Sequence, residues 1–138
     1  MATENENSAE NYLDEGYVKY HCDWRLAEAV AAPKIAALNA CRQQMHKLGL
    51  IGYYVEHGVG YGNISMRWPT DEEAQATSAP LQFVISGTQT GHLPLLTAAH
   101  YALVNHFDIA ANQLICEGPV KASSEALTHA AVYCLDEQ

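Results

Sequence analysis

The stretch YALVNHFDIAANQLICEG, residues 101–118, holds two runs rich in β-branched and aromatic residues, YALVNHFD and NQLICEG, with only IAA between them. So short a gap has no room for a helix, so the runs are predicted to form an antiparallel hairpin. Working outward, LQFVISG at 81–87 has the same character, is bounded by Pro80 and Gly87, and reads as a buried strand. Further upstream, 50–55 and 63–68 can also be strands, and YVKYHCDW at 17–24 reads as an edge strand or a docked arm. Most strands follow one another without an intervening helix, which predicts mainly antiparallel pairing with helices laid on the sheet faces.

Two helices frame these strands. From Pro33, the residues Ile35, Leu38, Cys41, Met45 and Leu48 recur at spacings of three and four, with Asn39, Gln43 and Lys47 read as the polar face. Gly49 supplies the stop. The second helix begins near Ser123 in KASSEALTHAAVYCLDEQ, residues 121–138. Between strands and helices lie the polar loop PTDEEAQATSAP and the loop GTQTGHLPLLT, where Thr97 can cap a short helical turn. Residues 1–15 carry five acidic and no basic side chains and read as an acidic, disordered tail; 16–138 form one domain.

Composition narrows the function classes. A formal charge of -9 and a pI near 5.0 disfavour nucleic acid and anionic membranes as partners. No apolar run is long enough to span a membrane, and no signal-peptide pattern opens the chain, so a cytoplasmic location is expected. The four cysteines lie far apart without a CxxC pair and read as free, buried thiols. The seven histidines include no HxH and no HExxH, so the short-spaced zinc signatures are absent.

Three short segments carry candidate chemistry. GVGYGN, 58–63, lacks the spacing of a dinucleotide fingerprint, but its backbone N–H groups and the Asn63 amide suit an anion. SGTQTG, 86–91, lacks the Lys of a P-loop yet ends a strand in hydroxyl and amide donors. Ser123-Ser124-Glu125 opens the last helix: Ser123 is the expected N-cap and Glu125 falls in the first turn, although the spacing is not that of a capping box. At 100° per residue, Leu127, Ala130, Ala131 and Cys134 share one face while Glu125 and His129 share the opposite one. Toward solvent that pair means nothing. Toward a cleft, the helix start would bind an anion beside a carboxylate placed for proton transfer.

In this order, GNISMR, FVISGTQTG, a hairpin and GPVKASSEALTH, the chain resembles the class II aldolase/adducin family from about Pro33 onward. The resemblance implies a three-layer α/β/α sandwich around a mixed, mostly antiparallel sheet. It also implies a small phosphorylated sugar as substrate, held by Gly62, Asn63, the loop around Thr88, Ser123 and Ser124, with Glu125 as catalytic acid/base. A zinc ion would polarise the substrate oxygens and stabilise an enediolate, in an aldolase or epimerase that assembles as a homo-tetramer. The family loop usually reads Thr-Pro-Ser/Thr-Gly, so either Thr88 or Thr90 could reach the phosphate. The family's zinc ligands, an HxH and a later histidine, have no counterpart before Gln138, and Glu125 is the one residue that could contact the metal. The chain is therefore expected to be a C-terminally truncated and inactive form. The alternatives are a non-catalytic, adducin-like interaction module or a degenerate family member.

Overall fold

The computed structural model describes residues 20–69 and 81–136. The acidic tail, the start of the 17–24 arm and nearly all of the polar loop ending at Pro80 lie outside the described residues. The elements run β1 (His21–Leu26), α1 (Ala36–Lys47), β2 (Gly52–Tyr54), β3 (Val59–Tyr61), β4 (Ser65–Trp68), β5 (Gln82–Ser86), β6 (Tyr101–Asp108), β7 (Gln113–Gly118) and α2 (Ala126–Asp136).

The hairpin read from residues 101–118 forms. β6 and β7 pair antiparallel, Asp108 opposite Gln113 and Val104 opposite Cys116, with a bulge between Val104 and His106. β5 lies antiparallel beside β6, and β4 antiparallel beside β5. β1 completes the other edge and runs parallel to β7, His21 opposite Gln113. The result is a mixed five-stranded sheet in the order β1-β7-β6-β5-β4. β2 and β3 form a separate two-stranded ribbon. Its second strand falls inside the glycine-rich segment 58–63 and follows a turn at residues 55–58.

Alternation along the strands sorts the core into two clusters. Phe83, Ile85, Ala102, Val104, Leu114 and Cys116 pack with Ala126, Leu127 and Ala130 of α2. Val84 and Tyr101 point the other way and pack with Ile35 and with Leu38 of α1. Phe83 and Ile85 thus face one helix while Val84, between them, faces the other.

The first helix departs from its predicted stripe. Ile35 and Leu38 are buried, but Cys41 is exposed and Leu48 is 72% exposed. The buried residue one turn past Leu38 is Arg42, with no exposure at all. Its guanidinium donates to the carbonyls of Leu93 at 2.5 Å and Thr90 at 3.0 Å. Hydropathy ranks arginine as a surface residue, whereas its long stem fills core space when carbonyls receive its head. Asn39 is likewise no outer-face residue: its amide donates to Leu96 O at 2.9 Å and its Oδ1 accepts from the Tyr101 hydroxyl at 2.9 Å. The stop behaves as read. Gly49, at φ 77°, closes the helix with bonds from Gly49 N to His46 O and from Leu50 N to Met45 O, the paired bonds of a Schellman motif. Thr97 caps the short turn Ala98–His100.

The cysteines are free, as expected, but the expectation that they are buried holds only for Cys116; Cys41 is exposed and Cys22 and Cys134 are half-buried. β1 is an edge strand, so its Cys22 keeps one side toward solvent. The sulfurs of Cys22 and Cys116 lie 3.4 Å apart. The buried Cys116 thiol donating to Cys22 pulls the Cys22 thiol down to about 7, and pushes its own value up. Cys22 is therefore expected to be the first thiol alkylated by iodoacetamide near neutral pH, its rate rising through a midpoint near pH 7. Cys116→Ala should move that midpoint toward the ordinary thiol range. Mass-spectrometric mapping across a pH series checks both; faster labelling of the exposed Cys41 at neutral pH would contradict them.

Among the described residues, no helix is long and apolar enough to cross a membrane.

Candidate functional site

Ser86, at the end of β5, ties three remote segments together. Its N–H donates to Ile64 O at 3.0 Å, and its hydroxyl accepts from Ile64 N at 3.1 Å. Its carbonyl accepts from Ser123 N at 3.2 Å. One residue on, Gly87 bridges to Ala122, and Thr88 N donates to Lys121 O at 2.9 Å. A buried strand end thus fixes the Asn63 turn on one side and the start of α2 on the other.

Two glycines let the neighbouring backbones close in. Gly62 has φ 78°, and a Cβ there would sit 2.4 Å from Leu50 O. A Cβ on Gly91 would sit 2.2 Å from Gly52 O, where the 87–91 loop touches the β2–β3 ribbon. Both positions require a residue without a side chain.

These contacts enclose a cleft of about 490 Å³, within the usual size range of small-molecule sites. All six residues singled out from the sequence line it: Gly62, Asn63, Thr88, Ser123, Ser124 and Glu125. Among the described residues its lining contains no Lys or Arg, so an anion there would be met by hydroxyl, amide and backbone donors, with His57 beside them, and by the α2 N-terminus.

The hydroxyls divide into two kinds. Thr90 is buried and its Oγ1 donates to Gly87 O at 2.9 Å, which closes the loop from inside. Ser123, 5% exposed, uses its Oγ to accept from Glu125 N at 3.2 Å. Thr88 and Ser124 are half-buried, and their hydroxyls make no hydrogen bond among the described residues. Of the two threonines, Thr88 is the one left open to the cleft.

The helix start is two residues later than expected. A turn occupies Ser124 and Glu125, α2 begins at Ala126, and Glu125 stands just before the first helical turn, its carbonyl accepting from His129 N at 3.2 Å. The reason is a contact with a distant strand end. Ser123 N is engaged by Ser86, which holds the backbone there in a sheet-like bridge rather than a helical turn. The Glu125 carboxylate accepts from Thr128 Oγ1 at 3.3 Å and is otherwise open to the cleft.

Sequence reasoning missed several parts of the site. Tyr54 and Tyr61 stack with ring centroids 4.5 Å apart and wall the cleft with His57. His129, read on the Glu125 face of the last helix with solvent and cleft both open, turns toward the site. Its Nδ1 lies 2.6 Å from Ser65 Oγ, its Nε2 bonds to Asn63 Oδ1, and Tyr133 OH lies 2.8 Å from the same Ser65 oxygen. Its placement on the Glu125 face of the helix was the available signal. Burial holds the His129 imidazole below its ordinary value, against the opposing pull of Glu125.

Among the described residues, no three His, Cys, Asp or Glu side chains are grouped closely enough to hold a metal ion. They do not make a zinc site among themselves. Comparison with protein-family models, curated proteins and solved structures finds no match to this chain.

Proposed function

We propose that the cleft is the phosphate-and-base half of a class II aldolase-like site, acting on a small phosphorylated sugar by retro-aldol or enediolate chemistry. On this reading the two core clusters belong to a three-layer α/β/α sandwich of that family. What carries the proposal is convergence: three segments far apart in sequence, each with anion-suited donors, meet around one carboxylate. Ser124, Thr88 and Asn63 hold the phosphate, assisted by the N-terminus of α2. Glu125 lies beside them to take and return a proton. Zinc, when bound, would supply a Lewis acid for the substrate oxygens; its ligands would come from outside the described residues.

The test begins with inorganic phosphate titrated into the ¹⁵N-labelled chain. Saturable shifts are expected at the amides of Gly62, Asn63, Thr88, Ser124 and Glu125, with a dissociation constant on the order of millimolar, since neutral donors bind a small anion only weakly. Ser124→Asp should abolish those shifts by repulsion while leaving stability unchanged or slightly raised, because a carboxylate suits a helix N-terminus. Shifts scattered over the surface, or unaffected by Ser124→Asp, would overturn the phosphate assignment. Phosphate binding with no turnover in any metal-supplied form would favour the adducin-like module.

A further inference from the structure

We propose that His129 is a positioning residue that holds the Asn63 carboxamide with its NH₂ toward the cleft, its ring tautomer being set in turn by Ser65 and Tyr133. This deepens the proposed function and rests on its anion-binding reading.

The proton positions follow from one end of the chain of bonds. Asn63 Oδ1 can only accept, so His129 Nε2 carries a hydrogen and donates to it. Burial favours the neutral imidazole, so Nδ1 is then bare and accepts from the Ser65 hydroxyl at 2.6 Å. Ser65 has given its one proton and therefore accepts from Tyr133 OH at 2.8 Å. Burial raises the Tyr133 phenol, which keeps the required proton in place. Ser65 follows Asn63 by two residues and Tyr133 follows His129 by four, so one strand start and one helix face supply the whole relay.

The consequence concerns the sign of the site. An amide has a donor end and an acceptor end, and nothing in Asn63 itself decides which one faces a ligand. With Oδ1 fixed by His129, the Nδ2 hydrogens are what Asn63 offers the cleft, which suits an anionic oxygen. The reversed relay, with Nδ1–H donating to Ser65 and Nε2 accepting, would turn the amide and present a carbonyl that repels an anion. His129 does not touch the ligand; it acts through Asn63.

The experiment uses the ¹⁵N-labelled chain and inorganic sulfate, whose charge does not change near neutral pH. Long-range ¹H–¹⁵N correlation is expected to show His129 as the Nε2–H tautomer. His129→Ala should weaken sulfate binding by about tenfold, as expected for one oriented hydrogen bond to an anion. His129→Gln, whose side-chain NH₂ can still donate to Asn63 Oδ1, should recover most of that loss. An Nδ1–H tautomer overturns the inference, as does wild-type sulfate affinity in both variants. If His129→Ala fails to fold, the tautomer and the Gln variant decide alone. An Nε2–H tautomer in a chain that binds no sulfate upholds the hydrogen-bond arrangement and overturns the anion site.

Discussion

Arg42→Ala is expected to destabilise the protein by about 3–5 kcal/mol, a large share of the roughly 5–15 kcal/mol that holds a typical domain folded. Arg42 is wholly buried, and among the described residues no carboxylate pairs with it; its guanidinium is received by the carbonyls of Thr90 and Leu93. Burial accordingly holds its pKa below the usual arginine value. Truncation leaves a cavity beside Leu38 and strands the Leu93 carbonyl, while Thr90 O keeps the bond it also accepts from Leu93 N at 3.0 Å. Arg42→Met fills most of the space but not the bonds, and should cost less than the alanine change. Because Thr90 and Gly91 wall the cleft, the 88–91 loop amides should also lose protection from hydrogen exchange. Urea denaturation and exchange measurements check the two parts. A loss under about 1 kcal/mol would mean that solvent or another side chain replaces the guanidinium.

The second large effect has opposite signs in two assays. On the proposed reading, Glu125→Gln removes the group that moves the proton, and should lower zinc-supplied retro-aldol turnover by roughly 10²–10⁴-fold wherever turnover is found. The same change removes a negative charge beside the phosphate donors, so inorganic phosphate should bind a few-fold more tightly. Thr128, whose hydroxyl now donates to the Glu125 carboxylate, can donate equally to the Gln oxygen, so the fold should be unaffected. A purely structural role would change neither number, and near-normal turnover would remove Glu125 as the base. On the proposed reading, zinc-dependent turnover by the 138-residue chain alone is not expected, since that reading draws the zinc ligands from outside the described residues. Chelator-sensitive cleavage of a phosphorylated ketose by that chain would overturn this expectation.

The strands were the most legible part of the fold. The 101–118 hairpin and the 81–87 strand combine β-branched residues, alternation and a short connection, which are local signals. Gly49 and Thr97 were equally clear, because caps act within a few residues. Arg42 was not legible: its burial depends on the Thr90 and Leu93 carbonyls, some fifty residues away. Nor could the parallel placement of β1 on β7 be read, since no turn fixes the register of strands so far apart in the chain. The six candidate site residues were found as three separate short segments, each explicable as a turn or a cap. Their meeting in one cleft needed the bonds around Ser86.

By itself, then, the sequence determined the mixed α/β composition, the antiparallel order of the central strands, the helix stop at Gly49 and the residue types available for an anion and a proton. Tertiary structure alone decided which hydroxyls stay open, with Thr88 and Ser124 free for a ligand and Thr90 and Ser123 taken up by the backbone. It also decided that His129 turns inward to Asn63. Local chemistry fixes what a side chain can donate or accept; only the packing of distant segments fixes which of those bonds the fold has already made.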